Sequence, residues 1–238
     1  MSQITTLTFF KYKSFLAKIW AFGMMQFAHS FLKKSKGLRF YRLLGSGKGE
    51  GFNPFPDWSV YALLQVWDSE AHANEFFSHS DLIQRYRTKT REVWTIYMRS
   101  MVAKGLWDKQ QPFEKSKELD SENPTIAVIT RATIKTSQLL RFWRYVPTSE
   151  KPLAKSDGLL FKKGIGEAPI FQMATFSLWS SADALHQFAY KSKEHRVAIE
   201  KTQELNWYSE ELFSRFQPYR SVGTWNGTAP LPELKKSD

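Results

Sequence analysis

The feature that most constrains the fold of this chain is an internal repeat. Five pairs of similar segments recur in the same order: GLRF (37–40) and GLLF (158–161), GKGE (47–50) and GIGE (164–167), VWDSEAHANEFF (66–77) and LWSSADALHQFA (178–189), Trp94 and Trp207, and GLW (105–107) and GTW (223–225). The offsets are 121, 117, 112, 113 and 118 residues, so they stay within ten residues of one another. Chance matches would not keep both order and spacing, and the chain is predicted to contain two copies of one structural unit.

The repeat also predicts the domain boundaries. The first unit covers 1–113 and the second covers 124–229. The polar and charged segment EKSKELDSEN (114–123) is typical of a linker, and 230–238 is predicted to be a flexible tail.

Each unit is predicted to have the element order β-α-β-β-α-β. In the second unit, TIAVITRATI (125–134) has the alternation of a strand, and TSQLLRFWRYV (136–146) has helical spacing. GLLFKKGIGE (158–167) and QMATFSLW (172–179) are predicted as two further strands. A helical region is predicted from SSADALHQFAYKS (180–192) through SEELFSRF (209–216), and YRSVGTW (219–225) as a closing strand.

This order is the ferredoxin-like motif. Two such units can close their sheets into one barrel with the helices outside, as in dimeric α+β barrel proteins. The predicted fold class is therefore α+β, a tandem duplicated ferredoxin-like chain that forms a dimeric α+β barrel-like fold. Two separately packed sheets are the alternative.

Composition narrows the chemistry. The chain has no cysteine, which excludes disulfides, thiolate nucleophiles, iron–sulfur clusters and thiolate-ligated haem. Aromatic residues make up 16% of the chain, enough to line a large flat pocket. The net charge of +11 favours an anionic partner, but the basic residues are scattered and we expect no nucleic-acid partner.

Common catalytic motifs are missing. LGSGKGEGF (44–52) lacks the spacing of a phosphate-binding loop and is better explained as a turn or bulge between strands. No Ser-His-Asp arrangement appears, and the five histidines are isolated from one another. His29 lies in an apolar helix and is predicted to be a core residue, whereas His72, His79 and His186 lie among polar residues.

His195 is the most promising ligand candidate on spacing alone. Ser192 can cap a helix there, and the positive end of the helix dipole favours the neutral imidazole that a metal ligand must be. Ala198 and Ile199 follow one turn later and offer a face that can lie flat against a planar ring. In the first unit the corresponding residue, at the 113 offset, is Leu82. An exposed or hydrogen-bonded histidine without a metal is the alternative.

The sequence resembles the spheroidene monooxygenase family of acyclic carotenoid ketolases over nearly its whole length. The segments that carry the resemblance are RATI (131–134), RFW (141–143), LFKKGIGEAP (160–169), TFSLW (175–179), FA (188–189), His195, AI (198–199), NWYSEELFSRF (206–216) and, in the first unit, LGSGKGEGF (44–52). The resemblance implies a haem-dependent monooxygenase that uses O₂ and external electrons to introduce a keto group into an acyclic carotenoid. It also implies kinship of fold with chlorite dismutases and aldoxime dehydratases.

The resemblance further implies haem b as cofactor, with His195 as the axial ligand of its iron, because an imidazole from the second unit is the usual ligand in that class. Arg141 and Lys162 are candidates for the anionic haem propionates. Arg131 is another such candidate and is also a catalytic candidate on the distal side, where it would hydrogen-bond a bound oxygen. Ordinary surface cations are the alternative for all three. The aromatic candidates for the pocket wall are Trp143, Phe161, Phe176, Trp179 and Trp207, and core packing is the alternative for each.

The expected partners follow from this assignment: an apolar, carotenoid-like substrate and an electron donor such as a ferredoxin. No transmembrane span or signal peptide is evident, so we expect a cytoplasmic chain. Peripheral contact with an anionic membrane at its inner face, through Phe15, Ile19, Trp20, Phe22 and Met24, is a further hypothesis. The rival functions are a non-catalytic protein that binds haem or an apolar ligand, and a related haem dehydratase with a small substrate.

Overall fold

The structure is a computed structural model that describes residues 2–49, 53, 55–150, 156–168, 170–191, 205 and 207–231. Its eight strands are β1 (Ile4–Lys11), β2 (Leu38–Gly47), β3 (Pro56–Trp67), β4 (Glu92–Gly105), β5 (Ile126–Ile134), β6 (Leu159–Ala168), β7 (Gln172–Trp179) and β8 (Tyr208–Gly223). Its helices are α1 (Phe15–Phe27), α2 (His29–Leu32), α3 (Glu70–His79), α4 (Asp81–Lys89), α5 (Leu139–Glu150) and α6 (Ala182–Lys191), and a 3₁₀ turn, Thr136–Gln138, precedes α5.

The strands form one closed antiparallel barrel in the order β1-β3-β2-β6-β7-β5-β8-β4. Strands β1 to β4 belong to the first half of the chain and β5 to β8 to the second. The halves therefore meet along two seams, β2–β6 and β4–β8. This arrangement confirms the predicted fold class, in which two ferredoxin-like units close into one barrel. The exact domain boundaries remain predictions.

The two halves repeat each other in strand register as well as in element order. Ile4 pairs with Trp67 in the first half, and Ile126 pairs with Trp179 in the second. The register shift between Leu38 and Phe40 in β2 recurs between Leu159 and Phe161 in β6. The offset of 121 residues therefore holds through both strands, and Gly47 corresponds to Ala168; the match of GKGE with GIGE, at 117, is out of register.

The barrel interior is filled by side chains. Phe9, Trp94 and Phe176 are fully buried there and lie in contact with Phe161 and Trp225, with ring centroids 4.8 to 6.4 Å apart. Alternating residues of each strand supply this cluster because successive side chains point to opposite faces of a sheet. The interior is thus a packed core, which leaves the outer face and the ends of the barrel for ligands.

The predicted helix at SEELFSRF (209–216) is wrong, because these residues belong to the long strand β8. Leu212, Ser214 and Phe216 are buried at every second position, which is the period of a strand. β8 pairs with β5 on one side and β4 on the other, so its backbone is satisfied by the barrel. The closing strand begins at Tyr208 rather than near Tyr219.

The predicted match of Trp94 with Trp207 is also wrong. Trp94 pairs with Gly223 across the β4–β8 seam, and Leu212 pairs with Gly105 in the same seam. This reciprocity makes Leu212 the counterpart of Trp94, and both side chains lie in the interior cluster. The GLW and GTW match holds: Trp107 and Trp225 are both buried, and each forms an isolated bridge three residues ahead, to Gln110 and Thr228.

The predicted linker (114–123) is held against the barrel. The Ser116 backbone donates to the Ser100 carbonyl at 2.8 Å, and the buried Asn123 side chain donates to the Pro218 carbonyl at 2.7 Å. Leu231, which the prediction assigns to the flexible tail, is buried in the interior cluster. Residues 232–238 lie outside the described part of the chain.

Candidate functional site

Three predicted site residues, the ligand candidate His195 and its neighbours Ala198 and Ile199, lie outside the described residues. Two predicted aromatics, Trp143 and Trp207, lie on the outer face of the second half in a small cluster with Phe142, whose ring centroid is 5.6 Å from Trp143 and 5.5 Å from Trp207. Trp179 lies in a second small cluster, stacked on Phe188 at 5.3 Å. These ring contacts are packing contacts on the helix side of the sheet.

Of the three cations predicted for the propionates, Lys162 is half-buried and lies on the outer face of β6, because the next residue, Lys163, points inward. Arg141 is exposed on α5. Their predicted roles remain predictions.

Arg131 lies on the opposite face of the sheet from Lys162. Its side chain is only 1% exposed and ion-pairs with Glu210, with Asp108 at 3.4 Å and with Glu167 at 3.8 Å. Arg42 joins the same cluster through Glu167 at 2.6 Å. The contacts of Arg131 are those of a buried ion cluster that connects the halves, and the catalytic role predicted for it remains a prediction.

Glu167 is a largely buried carboxylate of this cluster. Burial raises the pKa of its carboxyl above the ordinary value, although a hydrogen bond from Trp107 and the charge of Arg42 act in the opposite direction. The Trp107 indole Nε1 donates to Glu167 Oε2 at 2.9 Å. The cluster therefore combines two arginines with three acidic residues and seals one end of the barrel.

The outer face of the second half differs from that of the first at one strip. In the first half, Leu43 pairs with Leu63 across β2 and β3, and both side chains are buried in one large cluster under the helices. At the corresponding offsets the second half has Gly164 paired with Thr175 across β6 and β7. Two leucine side chains are thus replaced by a hydrogen atom and a small polar group. We call Thr130, Gly164 and Thr175 the outer strip.

The surroundings of the outer strip match this loss of volume. Thr130, which pairs with Thr175, is exposed, whereas its counterpart Thr8 is fully buried. Among the described residues, the helix side of the second half has two separate apolar clusters, one around Phe142 and one around Trp179, where the first half has a single cluster. A flat strip of small residues between two apolar clusters suits a planar ligand. Sequence reasoning missed it, although the repeat offsets contain the signal.

An apolar cleft of about 240 Å³ opens beside the outer strip, over the β2–β6 seam. Its floor is formed by glycines of both halves, and Gly45 pairs with Gly166 across the seam. Phe22, Trp58 and Tyr61 line it from the first half, with the Phe22 and Trp58 rings 5.2 Å apart. From the second half, the lining includes Gly164 of the outer strip and the residues Gly166, Ile165, Ile170 and Met173.

Asp57, a charged residue that lines the cleft, is paired with other groups of the protein. Lys163 Nζ donates to the Gly47 and Gly49 carbonyls at 3.0 and 2.7 Å and lies 3.3 Å from Asp57 Oδ2. Burial opposes the charge of Asp57, but hydrogen bonds from Ser59 and the nearby Lys163 outweigh it, so the pKa of Asp57 is lowered. Burial raises the pKa of Tyr61 to about 12, which keeps this wall neutral.

Helix α1 places apolar side chains on the surface next to the cleft. Phe15, Leu16 and Phe27 are 75%, 77% and 68% exposed, and Ile19 and Phe22 are also exposed. Trp20 and Met24, which the sequence assigned to the same surface, instead pack toward the first sheet. No Asp or Glu precedes Glu50, and α1 and α2 contain or adjoin five lysines, at 13, 18, 33, 34 and 36.

The acidic and histidine side chains in the described part of the chain form no group of three that could hold a metal ion. His29 is half-buried and its Nδ1 lies 2.9 Å from the Tyr41 hydroxyl, as expected of a hydrogen-bonded structural residue. No helix among the described residues has the length and apolar character needed to span a membrane.

Known proteins resemble the chain in both sequence and fold. The spheroidene monooxygenase of Cereibacter sphaeroides is 35% identical over 235 residues, which cover 97% of this chain and 71% of that protein. The Rhodobacter capsulatus protein of the same name is 33% identical over 230 residues and covers 96% of this chain and 95% of its own length. No protein-family model matches the chain.

The fold has a counterpart among solved structures. An aldoxime dehydratase crystallised with butyraldoxime superposes with a TM-score of 0.61 at 8% identity, covering 92% of this chain and 80% of that one. At this identity the likeness shows a shared fold and nothing finer. The sequence relatives, by contrast, match nearly the whole chain at 33–35% identity. The chain belongs to the spheroidene monooxygenase family.

Proposed function

We propose that this protein is a haem-dependent monooxygenase that introduces a keto group into an acyclic carotenoid. The observation that carries the proposal is the sequence identity of 33–35%, over nearly the whole chain, with proteins named spheroidene monooxygenase. The proposed site of the cofactor is supported by surface features of this chain itself. Haem b, bound through its iron to His195, would lie along the outer strip.

The overall chemistry defines what the protein has to supply. In each round, O₂, two electrons and two protons place one oxygen atom in a C–H bond and release the other as water. A second round at the same carbon gives a geminal diol, which loses water to leave a ketone. When bound, haem supplies the O₂ activation, and an external donor such as a ferredoxin supplies the electrons.

Residues of the second half fit a planar, partly anionic cofactor. Gly164 and Thr175 leave room where the first half has two buried leucines. Lys162 lies on the same face and is suited to neutralise a propionate, as is Arg141 on α5. The cluster that contains Trp143 and Trp207 and the cluster that contains Trp179 would bound the pocket on its two sides. Excluding water from such a pocket strengthens electrostatic interactions within it.

The proposal also includes peripheral contact with an anionic bilayer. Its carotenoid-like substrate is apolar, and α1 combines exposed Phe15, Leu16, Ile19 and Phe22 with flanking lysines and no acidic residue. Apolar side chains that insert at the headgroup level, together with lysines attracted to anionic lipid, are the signature of an interfacial helix.

Absorption spectroscopy and product analysis test the function. The protein, purified from haem-replete cells, is expected to show a Soret band, and the His195→Ala variant is expected to lose it while keeping its circular dichroism. With a reductant, a ferredoxin and O₂, an acyclic carotenoid is expected to gain one oxygen atom and lose two hydrogens by mass spectrometry.

Each outcome has a distinct meaning. A Soret band that survives in His195→Ala would remove His195 as ligand. Product formation by a protein that binds no haem would overturn the cofactor. A haem-loaded protein that yields no oxygenated product would favour the non-catalytic binder.

A further inference from the structure

We propose that the apolar cleft over the β2–β6 seam binds a segment of the substrate's linear hydrocarbon chain and directs it from the α1 surface to the outer strip. This inference rests on the proposed function, because it takes the substrate to be a long apolar chain. It adds the place where that chain is held, which neither the family resemblance nor the fold assigns.

The chemistry of the cleft favours a ligand without polar groups. Phe22, Trp58 and Met25 present aromatic and thioether surface, and such side chains provide large contact areas for apolar ligands. Two of the polar lining residues are satisfied internally: Asp57 by Ser59 and Lys163, and Ser46 by the Val60 carbonyl at 2.9 Å. A polar ligand would find few partners here, whereas a hydrocarbon leaves these hydrogen bonds intact.

The size of the cleft fits part of a long molecule. Its volume of about 240 Å³ is below the roughly 300–1,000 Å³ of a site that encloses a whole drug-sized ligand. The glycines of its floor let a chain lie close to the backbone of both β2 and β6. A linear molecule can therefore be held along one stretch while its ends extend out of the cleft on both sides.

Both ends of the cleft lead to surfaces that the proposed function needs. At one end Gly164 lines the cleft and also belongs to the outer strip, and Met173 lines it and packs in the cluster around Phe142. At the other end Phe22 lines the cleft and is exposed on α1. A chain leaving a bilayer at α1 can thus reach the proposed cofactor face along a mainly apolar cleft.

The rim of the cleft is tied to the second half's helical layer. The Trp143 indole on α5 donates to the Ile170 carbonyl at 3.3 Å, and Ile170 lines the cleft. On the other side, Lys163 fixes the glycine turn after β2. These contacts hold the two lips of the cleft in place across the seam between the halves.

Gly45 gives the sharpest test. Its neighbour Leu44 points into the barrel, so a side chain at position 45 projects outward into the cleft, where a Cβ would meet only the Gly166 carbonyl at 3.8 Å. Gly45→Ala therefore adds a Cβ at an ordinary contact distance, and Gly45→Leu extends further into the cleft. Met25→Trp fills it from α1 and serves as an independent variant, and Val222→Thr, on exposed β8 surface, is the control.

Binding of lycopene, an acyclic carotenoid, from detergent micelles is measured by pigment co-elution, beside the Soret band and the melting temperature. We expect Gly45→Leu and Met25→Trp to bind about tenfold more weakly or worse, Gly45→Ala to be intermediate, and Val222→Thr to match the parent. The Soret band is expected to be unchanged in all four variants.

Failure of the cleft and failure of the proposed function give different results. If folded Gly45→Leu and Met25→Trp both bind lycopene like the parent, the cleft assignment is overturned, whatever the Soret band shows. If no variant or parent contains haem but the cleft variants still lose lycopene, the cleft assignment stands and the haem proposal fails. If Gly45→Leu does not fold, the Met25→Trp result decides.

Discussion

Gly164 and Thr175 face each other across β6 and β7 at the positions that Leu43 and Leu63 fill in the first half. Replacing both with leucine is expected to fill the outer strip with side chains that the repeat already accommodates. We expect the Gly164→Leu, Thr175→Leu variant to fold and to lose its Soret band, because the room for a planar cofactor is gone. Absorption spectra and thermal unfolding provide the measurement.

The matched control is the reverse change in the first half. Leu63→Thr removes a fully buried side chain, and such large-to-small core changes lower the free energy of unfolding by about 2–4 kcal/mol. It is expected to leave the Soret band in place. A doubly leucine-substituted protein with a full Soret band would move the cofactor away from the outer strip.

A second prediction concerns two glutamates at equivalent places in the halves. Glu210 accepts from the backbone N–H groups of Asp108 and Lys109, both at 2.8 Å, and Glu92 accepts from that of Gly227 at 2.9 Å. Each thus caps the turn that follows the strand of the other half. They differ in their cations: Glu210 pairs with Arg131, 1% exposed, and Glu92 pairs with Lys11, 28% exposed.

Glu210→Gln is therefore expected to lower the free energy of unfolding by about 2 kcal/mol, because it weakens a buried ion cluster as well as a turn. Glu92→Gln is expected to cost about 1 kcal/mol or less, because water can solvate Lys11. Urea titrations of both variants measure the difference. Equal losses of unfolding free energy in the two variants would show that the burial of Arg131 does not strengthen its pairing with Glu210.

Sequence reasoning predicted the barrel because its evidence was periodic. Residue alternation and five recurring segments define strands and their order, and most of these patterns recur in the register of the strands. It failed at 209–216, which was predicted as the continuation of a helical region although the chain pairs on both sides as a strand. Tertiary pairing overrode the local pattern there.

The candidate site was harder to predict because it depends on what is missing. The outer strip is defined by Gly164 and Thr175, small residues that attract no notice in a single copy. Their meaning appears only once the register places them opposite two buried leucines. Arg131 is the opposite case, because a conspicuous charged residue was predicted to act at the cofactor. Its described partners are instead the acidic residues of a buried cluster.

The pH dependence of stability tests the Lys163–Asp57 contact. The pKa of Asp57 is lowered in the folded protein. A carboxylate of this kind stabilises the fold above its ordinary pKa of about 3.9, and the contribution is lost as pH falls through the lower native value. The difference in unfolding free energy between the parent and Asp57→Asn is therefore expected to be largest near neutrality and to decrease as the pH falls below the ordinary pKa and through the lower native value. A difference that does not change with pH would contradict the assignment.

Membrane contact through α1 predicts a salt-sensitive association. We expect the parent to sediment with vesicles containing phosphatidylglycerol at low salt and less so at high salt, because lysines near the surface contribute about 1 kcal/mol each before screening. Phe15→Ser combined with Leu16→Ser is expected to weaken this association about tenfold or more, since both side chains are largely exposed. Val222→Thr is the control for an exposed apolar residue elsewhere. Unchanged sedimentation of the double variant would remove α1 as the contact.

The two seams of the barrel are unequal in length. Among the described residues, β4 and β8 share eleven paired positions, whereas β2 and β6 share two, Gly45–Gly166 and Ser46–Ile165. A barrel with one long seam and one short seam is expected to open locally at the short seam. The amide hydrogens there are therefore expected to exchange with solvent first. The cleft lies over that seam. A molecule that contacts both sides of the cleft would stabilise the closed seam. By thermodynamic linkage, any change that stabilises the closed barrel would also raise the affinity for that molecule.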